Sequence, residues 1–163
     1  MKRPSSSTVM PMTHPTPLTL AELTERTGLD VLAHLERSLS IPVIDGIQAQ
    51  GDLIVVPRSE LPRVTRSPLA HWQDVGADGV ELLRGANGGN PHTLVADRGT
   101  CAWTPYVRDA QGLTLCLVTN SAPAYLIHPE HGATGIAPGT WTIRRQRERG
   151  DPRTPGGARL VQD

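Results

Sequence analysis

The segment CAWTPYVRDAQGLTLCLVT, residues 101–119, carries the pattern that decides the fold. Two short runs rich in apolar residues flank the polar turn RDAQG, which predicts a β-hairpin. In the second run Leu113, Leu115 and Leu117 point to one face of the strand, and the alternate residues, also largely apolar, point to the other. A strand that is apolar on both faces is typical of the interior of a sheet, so we expect this strand to be central.

Comparable runs lie on both sides of this hairpin. Upstream, GVELLRG and HTLVAD flank a glycine-rich loop and predict a hairpin over residues 79–97, while DLIVVP predicts a strand over residues 52–57. Downstream, AYLIH and TWTIRRQRE flank PEHGATGIAPG and predict a third hairpin, in which Pro138 and Gly139 form a type II turn with positive φ at the glycine. Strands that recur every 10–12 residues or so and are joined by turns indicate an antiparallel meander. The predicted fold is therefore mainly β, a barrel or a sandwich, with an N-terminal helical segment.

Composition and charge narrow the class of protein. A chain of 163 residues suits a single domain with its own core, and 15 prolines with 16 glycines are too many for a helical bundle. The formal net charge is zero, so the average field does not draw the molecule to nucleic acid or to an anionic membrane. The basic start lacks the apolar run of a signal peptide, and no stretch is long enough to span a bilayer. We therefore expect a cytoplasmic protein without membrane association, in which Cys101 and Cys116 are reduced thiols that pack in the interior.

The chain divides into four parts. Residues 1–17, rich in proline, serine and threonine, predict a disordered arm, and residues 18–40 predict a helical segment. Thr19 and Glu22 form a capping box, Gly28 ends the first helix, and a second helix is expected over residues 30–38. The pair resembles a helix-turn-helix, but the second helix has few side chains able to recognise bases, which favours a small helical cap on a sheet. Residues 41–150 form the β-domain, and residues 151–163 form a C-terminal tail.

Histidines concentrate near the ends of two predicted strands. In HPEH, Pro129 prevents a regular strand, so a turn can bring His128 and His131 to one side. His92 begins another strand just after the glycine-rich loop. Three imidazoles meeting at one end of the sheets, with Glu130 as an oxygen ligand, would suit Zn, Fe, Mn or Ni. The alternative is that these are surface histidines on exposed loops.

The last predicted strand ends in the chain's one dense basic run. Arg144, Arg145 and Arg147, with Trp141 stacked beside them, are candidate contacts for nucleic acid or an acidic partner. The alternative is an edge strand that charge protects from aggregation.

The segments HPEHGATGIAPGTWTIRRQRERG and ARLVQD, with GGNPH before an earlier strand, resemble the C-terminal half of small uncharacterised β-rich proteins, largely actinobacterial. That resemblance implies a bacterial protein and brings no assigned activity. The chain is also similar to the cupin barrels, in which histidines on neighbouring strands bind a metal. This sequence has HTLVAD where the cupin pattern has two histidines and a glutamate, and its HPEH precedes the Pro-Gly turn.

Three functions follow from these observations. With no complete catalytic constellation in the sequence, we expect a non-catalytic binding or assembly module of a bacterial system, acting with a protein partner. A cupin-like divalent-metal-binding protein or metalloenzyme is the first alternative, with the metal as Lewis acid or redox centre and Glu130 as ligand or base. Nucleic-acid binding through the C-terminal arginines is the second. Whether the protein is an enzyme, and whether it forms homo-oligomers, is left open.

Overall fold

The computed structural model describes residues 17–84, 89–149 and 158–160. Helix α1 spans Leu20–Thr27, and a single 3-10 turn spans Arg58–Glu60. The described strands, in chain order, are β1 (Val43–Ile44), β2 (Gln48–Gln50), β3 (Leu53–Pro57), β4 (Thr65–Arg66), β5 (Gln73–Asp74), β6 (Val80–Arg84), β7 (Pro91–Ala96), β8 (Cys101–Thr104), β9 (Val107–Arg108), β10 (Thr114–Asn120), β11 (Ala124–His128), β12 (Gly132–Ile136), β13 (Gly139–Arg145), β14 (Arg147–Arg149) and β15 (Ala158–Leu160). Among these residues, neither helical segment has the length or the hydropathy that a bilayer crossing requires.

Most of the strands belong to two sheets. One has the order β1-β12-β11-β7-β6, and the other has the order β2-β3-β13-β10-β8-β5. The β1–β12 pair is parallel, and the other pairs within these sheets are antiparallel. The pairs β4–β9 and β14–β15 form two small ribbons. The predicted mainly β class is confirmed, and β10 is central as expected, between β13 and β8.

Both sheets contribute side chains to one hydrophobic core. Val55 and Ile143 from the six-stranded sheet lie in the same buried cluster as Leu94, Leu126 and Ile136 from the five-stranded sheet. Because strand residues alternate between faces, each sheet presents one apolar face to the other, which is the arrangement of a sandwich. The chain has no Phe, so aliphatic side chains provide most of this core.

Helix α1 covers the opposite face of the five-stranded sheet. Its Leu20 and Leu23 form a second buried cluster with Val95 of β7 and Ile127 of β11. The capping box is present, since the Thr19 amide donates to Glu22 Oε2 at 2.8 Å and the Glu22 amide donates to Thr19 Oγ1 at 3.2 Å. Gly28 ends the helix with φ of 69°, as the sequence predicts.

The prediction of a second helix over residues 30–38 is wrong. These residues form turns and bends, in which Asp30 Oδ1 accepts a hydrogen bond from the Val31 amide at 2.9 Å. The Leu32 amide donates to the Pro129 carbonyl at 2.8 Å, so it bonds to the five-stranded sheet's β11–β12 turn and not to its own segment. A helix-turn-helix is therefore absent from the described residues, and the segment serves as a cap on the sheet.

The first two predicted hairpins are confirmed and the third is wrong. Strand β6 pairs with β7 and β8 pairs with β10, while β11 pairs with β12, within the stretch expected to be a loop. Strand β13 joins the other sheet, between β3 and β10. The glycines that made GATGI resemble a loop have a packing role, because a Cβ on Gly135 would lie 2.8 Å from Val43 Cγ2 of β1. A side chain there would exclude the parallel strand.

The predicted type II turn at Pro138 and Gly139 is also wrong. The φ of Gly139 is positive as predicted, but at 159° it is far from the value of about 80° that a type II turn requires, and the residue begins β13. A Cβ at Gly139 would lie 3.2 Å from Trp141 Nε1, so the glycine gives the indole room at the point where the chain crosses between sheets. Asn120 holds this crossing, because its Nδ2 donates to the carbonyls of Ile136 at 3.2 Å and Ala137 at 3.0 Å.

Several of the predicted segments fall outside the described residues. The arm over residues 1–17 lies outside them except for its last residue, as do loop residues 85–88 and most of the tail over residues 151–163. Within that tail, Ala158–Leu160 pairs with Arg147–Arg149.

We predict that Gly79→Ala destabilises the protein more than Gly99→Ala. Both glycines have left-handed φ, 74° and 76°, so each alanine costs about 1 kcal/mol of backbone strain. At Gly79 the new Cβ would also lie 2.7 Å from Val95 Cγ1 and 2.8 Å from the Leu94 carbonyl oxygen, whereas open space surrounds Gly99. Overpacking should add about 1–3 kcal/mol at Gly79 alone, measured as the free energy of unfolding in urea. Equal losses in the two variants would contradict the described packing of the β6–β7 hairpin.

Candidate metal centre

Three histidines meet at one end of the sandwich. His92 lies near the start of β7 and His128 at the end of the neighbouring antiparallel strand β11, so both face the same end. Their ring centroids are 4.4 Å apart, and His131, in the turn after β11, lies 4.5 Å from His128 and 6.3 Å from His92. The structure thus brings together the three imidazoles singled out in the sequence.

His92 is enclosed between the two sheets, with 2% of the residue exposed. Its Nδ1 lies 3.2 Å from Gln50 Oε1, and its Nε2 lies 2.8 Å from Asp52 Oδ1. Gln50 ends β2 and Asp52 precedes β3, so both belong to the facing six-stranded sheet. Burial lowers the pKa of the His92 imidazole and the nearby His128 lowers it further, against the opposing effect of Asp52. This environment favours a neutral ring that carries a lone pair.

The turn after β11 surrounds His128, which is likewise 2% exposed. The Glu130 amide donates to His128 Nδ1 at 3.2 Å, and His128 Nε2 lies 3.2 Å from the Asn90 carbonyl oxygen. Asn90 Nδ2 in turn donates to Glu130 Oε1 at 3.1 Å, which joins the residues before β7 to this turn. The hydrogen bonds within the turn replace the regular strand pairing that Pro129 prevents.

Glu130 and His131 are exposed, so the cluster opens to solvent on their side. Potential ligand atoms of His128, Glu130 and His131 all lie within 4.8 Å of one another. Imidazole nitrogens and carboxylate oxygens are ligands for Zn, Mn, Fe and Ni. Three of the four predicted residues, His128, Glu130 and His131, therefore offer ligand atoms close enough for one cation, and the ring of His92 lies beside that of His128.

Gln50 and Asp52 were missed in the sequence analysis. A strand pattern suggests surface positions for polar residues, yet both residues are more than nine-tenths buried. The available signal was the spacing of Gln48, Gln50 and Asp52 immediately before the apolar run of β3, which places three polar side chains at alternate positions.

The two cysteines pack in the core as reduced thiols, as the sequence analysis predicts. Cys101 and Cys116 are free thiols in the main hydrophobic cluster. Burial raises the pKa of Cys101 to about 11 and that of Cys116 to about 12, so both stay protonated at neutral pH.

The predicted arginine and tryptophan surface does not form as expected. Trp141 is 2% exposed and its Nε1 donates to the Ala137 carbonyl at 3.0 Å, so the indole offers no face for stacking on a base. Arg144 is largely buried, and its Nη2 donates to Gln111 Oε1 at 2.6 Å and to Asp109 Oδ2 at 3.3 Å. Arg145 is half-buried and Arg147 is exposed.

The alternative interpretation, a charged edge strand, is wrong as well. Strand β13, which carries Trp141 and Arg144, lies between β3 and β10 in the six-stranded sheet. Its charged residues follow the buried run from Trp141 to Ile143 and lie at the end of the strand.

Asp109 should make stability depend on pH, and Asp109→Asn should remove that dependence. Although burial raises its pKa, hydrogen bonds from Thr114 and the Gln111 amide and the charge of Arg144 lower the pKa from 3.8 to about 2. A carboxyl whose pKa is lower in the folded state stabilises the protein above the unfolded-state pKa, and this contribution is lost as pH falls from about 4 to 2. It amounts to about 2 kcal/mol at neutral pH.

Urea unfolding at several pH values between 2 and 5 measures this effect. The exposed Asp45→Asn is the control and should keep the wild-type profile, whereas Asp109→Asn should be less stable at pH 7 and flatter below pH 4. A profile for Asp109→Asn as steep as that of the wild type would contradict the assignment.

Comparison with known proteins places the cluster within a family. The family called Domain of unknown function (DUF8820) matches residues 49–146. This range begins within β2 and ends just after β13, so it contains Gln50, Asp52, His92 and the turn that carries His128 and His131. No curated protein and no solved structure matches the chain. Since the match spans more than half of the 163 residues, the chain belongs to the Domain of unknown function (DUF8820) family.

Proposed function

We propose that this protein binds a divalent transition-metal ion, with His92, His128 and His131 as nitrogen ligands and Glu130 as an oxygen ligand. The observation that carries the proposal is the convergence of the three imidazole rings, whose centroids lie 4.4–6.3 Å apart. The donor set consists of nitrogen and oxygen atoms, which suits Zn, Fe, Mn or Ni. When bound, such an ion supplies Lewis-acid chemistry, or redox chemistry if it is iron or manganese.

The crowding of the rings favours their neutral forms. Two of the rings are buried side by side, and contacts with Gln50 and Asp52 hold His92 while contacts with Asn90 and Glu130 hold His128. Protonating neighbouring imidazoles would set like charges 4–5 Å or so apart in a medium of low dielectric constant, which is unfavourable. Neutral rings this close together suit a shared cation, because each ring can then direct a lone pair at a positive charge.

The local environments of the rings support this role. Burial and His128 hold the pKa of His92 below its usual value, which favours the neutral form that a ligand needs. The exposure of His131 and Glu130 gives an ion a route from solvent. A metal at either nitrogen of His128 would replace one of the hydrogen bonds that now hold the ring, to the Glu130 amide or to the Asn90 carbonyl.

Metal content and thermal stability test the proposal. Protein purified without a His-tag and loaded with Zn²⁺ should hold about one equivalent by elemental analysis, and a chelator should lower its melting temperature because the ion binds only the folded state. His131→Ala removes an exposed ligand, so this variant should fold and yet lose the bound zinc and the chelator effect. His92→Ala should do the same.

His71→Ala is the matched control, since His71 is exposed and contacts Tyr106 outside the cluster. It should retain the metal and the chelator effect in full. Wild-type protein that takes up no zinc, iron, manganese or nickel would rule out the proposal. The non-catalytic binding or assembly role inferred from the sequence stays a prediction.

A further inference from the structure

We infer that the protein binds a short aliphatic carboxylate, whose tail occupies a cleft beside the histidine turn (residues 128–131) and whose head group reaches the proposed metal ion. The cleft lies where the segment after α1 meets β7 and β11, and its volume is about 350 Å³. Sites for small molecules typically have volumes of about 300–1,000 Å³. The inference rests on the proposed function, because the head group needs the ion.

Aliphatic side chains make up most of the cleft lining. Leu29, Val31 and Leu32 come from the segment after α1, which caps the sheet. Ile127 comes from β11, on the face of the five-stranded sheet that α1 covers. Packed proteins contain few voids larger than a water molecule, so an aliphatic cleft of this size suits the tail of an apolar ligand.

Asp30, Asn90 and Thr93 are the polar members of the lining. The carboxylate of Asp30 would repel an anion only weakly. Arg37 Nη2 lies 3.1 Å from Asp30 Oδ1 and compensates its charge, and the Asp30 side chain is 89% exposed, so water screens what remains. The cleft therefore accepts a ligand that carries a negative charge at one end.

Asn90 connects the cleft with the proposed metal ligands. Its side-chain amide donates to Glu130 Oε1 at 3.1 Å, and its carbonyl oxygen lies 3.2 Å from His128 Nε2. Pro129, which follows His128 and precedes Glu130, also lines the cleft. The lining of the cleft thus ends one hydrogen bond away from two of the proposed ligands.

A carboxylate is the head group that suits this position. Its oxygens are ligands for zinc, iron and manganese, the role already given to Glu130. His131 and Glu130 are exposed, so an ion held by them is open to solvent, and zinc can accept a further ligand when a substrate binds. An aliphatic cleft beside a cation selects a molecule that has an apolar tail and an anionic end.

Two exposed leucines of the N-terminal segment provide a matched pair of variants. Leu32 lines the cleft and is 42% exposed, whereas Leu39 is 66% exposed and does not belong to the lining. Leu32→Trp should obstruct the cleft without preventing folding, because the leucine is not part of the buried core. Leu39→Trp introduces the same side chain away from the cleft.

The first test titrates zinc-loaded protein with acetate, butanoate and hexanoate, with affinity measured by NMR. Burying one methylene group strengthens binding about fourfold, so hexanoate should bind about 16-fold more tightly than butanoate. Leu32→Trp should keep its zinc and its affinity for acetate but lose this gain, and Leu39→Trp should retain the gain. Equal affinities for the three acids, or a gain that survives in Leu32→Trp, would overturn the inference and leave the metal site intact.

The second test compares zinc-loaded with zinc-free wild-type protein. Removing the ion should weaken hexanoate binding by about 10- to 100-fold, the loss of one contact with a charged group, and should leave the binding of 1-hexanol nearly unchanged. An equal loss for hexanol and hexanoate would mean that zinc shapes the cleft without contacting the carboxylate, and would overturn the inference. A wild-type protein that binds no zinc would instead reject the proposed function together with this extension of it.

Discussion

Polar side chains that are buried between two sheets must find hydrogen-bond partners among themselves. This constraint determines how the side chains are arranged at one end of the molecule. Along most of the sandwich, aliphatic residues from both sheets fill the space between them. At the His92 end, Gln50 and Asp52 from one sheet meet His92 and His128 from the other, and all four are more than nine-tenths buried. A buried polar group without a hydrogen-bond partner costs about 1–3 kcal/mol of stability. Such an arrangement is therefore stable only when the side chains are oriented so that donors face acceptors. The amide of Gln50 is the central link, since it contacts His92 with one end and the Leu126 carbonyl with the other.

Local sequence patterns predicted the parts of the fold that local interactions decide. The capping box at Thr19, the end of α1 at Gly28 and the hairpins β6–β7 and β8–β10 depend on residues near one another in the chain. Strand β12 escaped prediction because its glycines are required by a distant segment, as the contact that Gly135 would make with Val43 indicates. The second helix failed for the same reason, because the Leu32 amide bonds to Pro129 almost a hundred residues away. Long-range partners of this kind leave little trace in a single sequence.

In the candidate site, too, the residues that are close in sequence were predicted and those brought together by long-range packing were not. His128, Glu130 and His131 could be grouped from sequence because a single proline-containing turn holds them, and His92 followed from its position at the start of a strand. Asp52 and Gln50 come from the other sheet, and only the packing of the two sheets places them beside His92. The arginine and tryptophan surface failed because Trp141 faces the core, and its alternative, a charged edge strand, failed because β13 is internal to its sheet.

The hydrogen bond from Leu32 to Pro129 connects the N-terminal cap with the histidine turn. That turn also has Leu20 and Leu35 near it, 3.7 Å and 3.9 Å from where a Cβ on Gly132 would lie. Residues 17–48 precede the family match, yet they contact the histidine turn that lies within it. Coupling between two parts of a protein is reciprocal. A change that stabilises the histidine turn must therefore stabilise the docking of the N-terminal cap, and a change that weakens the docking of the cap must destabilise the turn by the same coupling free energy. A relative that shares the family range but has a different N-terminal segment would thus carry the same side chains in a histidine turn of different stability.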